Sequence, residues 1–259
     1  MSRPEAYKGF SAFKADRPHP GVLRLWIDTG HANNAVTHEN HSEFGDVWKS
    51  LAAEEDVRAV LVRGVDGVLC GGGDITFLPP LVDSHETRTA VHRDIRALVM
   101  NMIDCPKPIV SAIDGVCSGA GLAVGIMADI SVAAETATLW DAHVLYGLAC
   151  GDHAAMAWPL KMGMAKAKYH LLTATALTGE EAERTGLVSL CVPDAELQEA
   201  ALDVAVQLSK LPAEAVSFTK QSLNGWFRLG QPIFEQSAAL EALGFAGDTV
   251  RKLVRSQDG

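Results

Sequence analysis

The chain has 259 residues, 48% of them apolar, which suits one large domain or one domain with a small appendage. Its 32 acidic side chains outnumber 22 basic ones, and the net charge of -10 disfavours nucleic acid and anionic membrane as partners. No apolar run is long enough to span a bilayer, the polar start Met1-Ser2-Arg3-Pro4-Glu5 has no apolar signal core, and five scattered cysteines without a CxxC pair read as free thiols of a cytoplasmic protein with no zinc site.

In chain order, β-branched and apolar runs predict strands at Val22–Ile27, 57–62, Ile109–Ile113, Ile130–Ala134 and 187–192. Helical periodicity is expected over about 39–53, 88–102 and 165–173. Thr178 and Glu181 have capping-box spacing, and Asp194 after Pro193 is expected to cap a helix running to about 209. From residue 213 onward no strand is expected. Strand–helix alternation followed by a helical tail indicates a layered α/β core with a helical extension.

Two glycine-rich turns stand out. The first, Val68-Leu69-Cys70-Gly71-Gly72-Gly73-Asp74-Ile75, follows the second strand, and a flexible turn accounts for it equally well. The second, Ile113-Asp114-Gly115-Val116-Cys117-Ser118-Gly119-Ala120-Gly121, joins a strand to a short buried helix. The free N–H groups at such a helix mouth suit a carbonyl oxygen gaining negative charge. A dinucleotide fingerprint is the rival reading, with Gly119, Gly121 and Gly125 as its glycines and Glu135 as its ribose acid. Its spacing departs from G-x-G-x-x-G, and it would leave Gly71 to Gly73 unused.

Together the two turns resemble the paired F-S-A-G-A-D-I and N-G-x-x-x-G-G-G segments of the crotonase (enoyl-CoA hydratase/isomerase) superfamily. Asn34-Ala35, the V-R-A-V-L-V-R-G run from Val57, Lys107-Pro108-Ile109-Val110-Ser111-Ala112, and Leu177-Thr178-Gly179-Glu180-Glu181-Ala182 with Gly186-Leu187-Val188 extend the likeness in family order. The resemblance implies an α/β fold: a crotonase-like ββα spiral core (residues 1–200) and a C-terminal helical trimerisation region (201–259), with trimers often paired as hexamers. It implies an oxyanion hole whose donors, by position, are the backbone N–H groups of Gly73 and Ala120. Substrate-binding residues would be Ala35, Gly71, Asp74, Ile75 and Gly119. The implied substrate is an acyl-CoA thioester, with no further cofactor and no metal. Each donor would stabilise the enolate-like oxyanion by about 3–4 kcal/mol.

The chain departs from the hydratase pattern where the two catalytic glutamates belong. Ala123 stands at the first position and His143 at the second. Water addition by paired glutamates is therefore not implied. His143 can act as a general base, with Asp141 or Asp152 to fix its tautomer. The nine-residue spacing of His143 and Asp152 is similar to the His/Asp pair of 6-oxocamphor hydrolase-type β-diketone hydrolases. The same loop supplies the nucleophilic aspartate of aryl-CoA dehalogenases, a second role for Asp152. His153, His92 on the helix after the first turn, and Glu241, reaching in across a subunit boundary, are further candidates. The tail lacks the family's aromatic adenine-packing segment, although Arg251, Lys252 and Arg255 remain for phosphates. Three readings follow: enolate chemistry on an acyl-CoA, C–C hydrolysis of a β-diketone, or a catalytically inactive binding or assembly module.

Overall fold

The computed structural model describes residues 4–256; residues 1–3 of the polar start, and 257–259, lie outside them. β1 (Glu5–Ala6), β2 (Phe13–His19) and β3 (Val22–Ile27) pair antiparallel. Then come α1 (Glu43–Ala52), β4 (Ala59–Gly64), α2 (Leu78–Asp83), α3 (His85–Asp104), β5 (Ile109–Ile113), β6 (Val116–Ser118), α4 (Gly119–Met127), β7 (Ile130–Ala134) and β8 (Thr138–Trp140). The second half holds α5 (Ala154–Met162), α6 (Met164–Thr173), β9 (Leu177–Thr178), α7 (Gly179–Thr185), β10 (Leu190–Val192), α8 (Leu197–Lys210), α9 (Ala213–Gly244) and α10 (Asp248–Arg255).

The main sheet runs β1-β2-β3-β4-β5-β7-β10 and is parallel from β3 onward; β6, β8 and β9 form a smaller sheet. Ala59, Val60, Leu61 and Val62 of β4 are all fully buried. That explains why the parallel strands read as unbroken apolar runs: both faces are covered, one of them by α8. Among the described residues no helix is long and apolar enough to cross a membrane.

Several sequence expectations shift in detail. The strand expected at 187–192 shrinks to β10, because the N–H groups of Leu187 and Val188 turn back to the Ala182 carbonyl and close α7. The helix expected at 88–102 begins earlier, where the Ser84 hydroxyl accepts from the Thr87 N–H, 3.1 Å away. The Thr178/Glu181 capping box is present. Asp194, in contrast, does not cap α8: it opens a 3-10 turn, Asp194–Glu196, ahead of that helix, and its carboxylate accepts from the N–H and hydroxyl of Thr136.

The glycines of α4 serve packing, which disposes of the dinucleotide reading. A Cβ on Gly121 would fall 2.1 Å from the Cys70 carbonyl oxygen, so the helix lies directly on the first glycine turn. Glu135, the supposed ribose acid, binds through its backbone N–H to Val192 at the end of β10.

Candidate active site

The two glycine turns meet. Cys70 and Cys117 form a parallel bridge, and Ser118 N–H donates to the Cys70 carbonyl at 3.2 Å. Gly72 adopts φ +94°, a left-handed conformation that turns the chain beside Ser118 and Gly119. Asp74 N–H and Val36 N–H tie the outer edge of the turn, while the Gly73 N–H donates to no acceptor among the described residues. Ala120 lies in the first turn of α4, where no earlier turn supplies a carbonyl. Both amides border one cavity of about 230 Å³, which Gly71, Asp74, Ile75 and Gly119 also line. The Asp74 carboxylate is occupied in capping the turn at Thr76. Ala35 does not line the cavity; its neighbour Val36 does.

His143 opens a 3-10 turn, His143–Tyr146, after β8. That tight turn puts Asp141, two residues back, beside the ring: Nδ1 lies 2.9 Å from Asp141 Oδ1. Nε2 faces Glu241 Oε1 at 3.4 Å. The expected pairing of His143 with Asp152 is therefore not the direct one. Asp152 is close, since one ligand atom each from Asp141, His143 and Asp152 lie within 4.8 Å of one another. Its carboxylate, however, accepts from His153 Nδ1 at 2.8 Å, and His153 Nε2 accepts from Trp158, so His153 is spent on structure. Glu241 comes from α9 of the same chain, not across a subunit boundary.

Electrostatics gives these groups different tasks. Burial works against a charged His143, but the Asp141 and Asp152 carboxylates and hydrogen bonds to Asp141 and Glu241 outweigh it, holding its pKa well above the ordinary histidine range. Burial likewise opposes ionisation of Asp152, yet His153 and His143 bring its carboxyl down to about 2. Burial pushes the Glu241 carboxyl up, and the His143 contact only partly offsets this. Buried Asp141 Oδ2 and Glu241 Oε2 have no hydrogen-bond partner among the described residues. The cluster is thus a proton-holding site: a divalent cation on the Asp141, His143 and Asp152 ligands would have to displace the proton that the carboxylates keep on His143.

His143, Asp152 and Glu241 line the same cavity as the two amides, and so does Ala123. Phe77, Leu78, Val91, Ile95, Leu98, Tyr146, Leu148 and Phe245 give it an apolar wall, and among the described residues no lysine or arginine lines it. α10 packs on α2 and on the 143–146 turn, so the chain's own tail closes the site, while Arg251, Lys252 and Arg255 stay exposed. His92 does not line this cavity; it borders a narrow crevice behind Glu241. Sequence reasoning missed His41 and Trp140, both in the wall. No motif surrounds either, and only the packing of distant elements brings them in.

An enoyl-CoA hydratase/isomerase family model matches residues 18–241. The 1,2-epoxyphenylacetyl-CoA isomerase of Escherichia coli is 26% identical over 79% of both chains. Against mitochondrial relatives from mouse and rat, the chain spans only 65% and 60% of their length. An enoyl-CoA hydratase/isomerase from Mycobacterium paratuberculosis superposes with a TM-score of 0.91 at 26% identity, covering 96% of this chain and all of that one. A β-diketone hydrolase from the cyanobacterium Anabaena gives 0.85 at 23% identity over 95% and 98%, a likeness of fold. With the expected α/β architecture and this family match in place, the chain belongs to the enoyl-CoA hydratase/isomerase family of the crotonase superfamily.

Proposed function

We propose that this enzyme hydrolyses a carbon–carbon bond of a β-diketone through an enolate held by the amides of Gly73 and Ala120. The observation that carries the reading is the seating of His143. Between Asp141 and Glu241, it lines the cavity of the two amides at a position where the superfamily's hydratases hold a glutamate. Ala123 leaves the other hydratase position without acid–base capacity. An apolar cavity that no lysine or arginine lines among the described residues suits a compact, uncharged diketone.

The elevated Glu241 carboxylate takes a proton from water as the water oxygen bonds to one ketone carbon. The bond to the central carbon breaks, and its electron pair becomes an enolate whose oxygen lies between the two amides. The His143 imidazolium gives its proton to the central carbon, and Glu241 passes the water's proton to His143 across their 3.4 Å contact. One diketone and one water become one carboxylic acid and one ketone. This assigns His143 the acid's role and Glu241 the base's, in place of joint water activation by His143 and Asp152. Asp141 and Asp152 hold the imidazolium charge.

The family match and the CoA-named relative favour a second reading, an enolate of an acyl-CoA thioester formed at the same amides with His143 moving the proton. Turnover of a cyclic 1,3-diketone panel separates the two. Wild type is expected to hydrolyse members of it, with His143→Ala and Glu241→Gln slower by about 10²–10⁴-fold. Equal rates in His143→Ala would remove its role. Acyl-CoA turnover and CoA thermal shifts without diketone hydrolysis would establish the second reading, and no turnover of either class would leave a binding module. We assign the protein to the cytoplasm and its working form to a homotrimer or hexamer.

A further inference from the structure

The reaction above places negative charge on two oxygens in turn. Water attack first makes a tetrahedral alkoxide on one ketone; cleavage then moves the charge to the enolate oxygen of the other. The Gly73 and Ala120 amides serve the enolate, so the alkoxide needs a donor of its own.

The cavity holds a polar side chain that belongs neither to the amide turns nor to the His143 cluster. His41 lines it, with a side chain only 11% exposed. Its Nδ1 lies 3.1 Å from Asp94 Oδ2, a carboxylate of α3 brought in from 53 residues away. Its ring packs 5.0 Å from the Phe77 ring at 43°. Phe77 is itself fixed: the His38 ring stacks on it at 4.1 Å, and His38 Nε2 bonds its carbonyl at 2.9 Å. One side of His41 is thus held by charge and the other by an aromatic face. The Asp94 contact is the only hydrogen bond of its ring among the described residues, which leaves Nε2 for a ligand.

We propose that His41, positioned by Asp94, donates from Nε2 to the alkoxide formed when water adds to the ketone; the proposal rests on the hydrolase reading. In the protonated ring both nitrogens donate, Nδ1 to Asp94 and Nε2 to substrate. No bond of His41 itself forms or breaks. Asp94 is a positioning residue, because it reaches the substrate only through His41.

The test is steady-state kinetics on a cyclic 1,3-diketone, with the full chain and with His41→Gln, His41→Leu and Asp94→Asn, each checked for an unchanged melting transition. Losing one donor of this kind costs about 10²-fold in kcat. His41→Leu is expected to lose that much with KM changed less than about threefold, and His41→Gln, which keeps an N–H, to recover part of it. Asp94→Asn should lower kcat with KM changed less than about threefold, because the ring loses the carboxylate that aims its Nε2 at the substrate. Wild-type kcat in both folded His41 variants would overturn the role of His41 while leaving hydrolysis standing. Wild-type kcat in folded Asp94→Asn would remove the part given to Asp94. A wild type inert toward every diketone would overturn hydrolysis and this proposal together.

Discussion

At the scale of single residues, His143 shows how two opposing terms are settled. Burial alone would neutralise an imidazole, but here the Asp141 and Asp152 carboxylates, with the hydrogen bonds to Asp141 and Glu241, keep it charged. Its pKa in the folded chain lies above that in the unfolded chain. Its stabilising contribution is therefore complete below about pH 6.5 and fades as pH rises through the elevated folded value. His143→Gln should accordingly cost roughly 1–3 kcal/mol at pH 6 and much less at strongly alkaline pH, read by urea unfolding at both. A cost independent of pH would mean that packing, not charge, holds the ring. The resemblance expects His143 and Ala123 at the two glutamate positions of the hydratases, and the structure brings both residues to the wall of one cavity. The choice between Asp141 and Asp152 was not legible in the sequence. They lie two and nine residues from His143, and only the 3-10 turn and the competing claim of His153 decide between them.

At the scale of elements, the site is a joint between two turns, and α4 lies on that joint. A methyl group at Gly121 would sit 2.1 Å from a backbone oxygen of the first turn, which has no flexible end to yield. Gly121→Ala is expected to destabilise by about 1–3 kcal/mol, with a fall in Tm on the order of 5 °C by calorimetry. Its activity loss at a permissive temperature should exceed what the unfolded fraction explains, since the Gly73 amide shares the displaced turn. A variant as stable and active as wild type would mean that the helix moves away freely. The long parallel strands and the capping box at Thr178 were legible, because each is decided by neighbours in sequence. β6, β8 and β9, of two or three residues, carry no periodicity to read. Asp194 misleads for a related reason: a carboxylate before a helix usually caps it, and here Thr136, 58 residues away, takes the carboxylate instead.

At the scale of the molecule, α9 presents two contrasting sides. Phe234, Ala238 and Glu241 are buried against the core, while Phe218, Leu223, Trp226, Leu229, Ile233 and Leu243 are exposed, Leu229 by 74%. An apolar stripe of that length on one helix suits the proposed contact between copies of the chain. Light scattering should give a trimer or hexamer of the 27.6 kDa chain, and a Trp226→Glu/Leu229→Glu variant should scatter as smaller species. A wild type that stays monomeric at micromolar concentration would remove the assembly from the proposal. The buried side of the same helix carries Glu241, whose carboxylate faces His143 and fills the space beside Gly151. If neighbouring chains grip one side of α9 while the other side holds the proposed base, catalysis becomes sensitive to dilution. Separated chains would keep their amide hole but loosen their grip on the proton, so the protein's own concentration would act as its throttle.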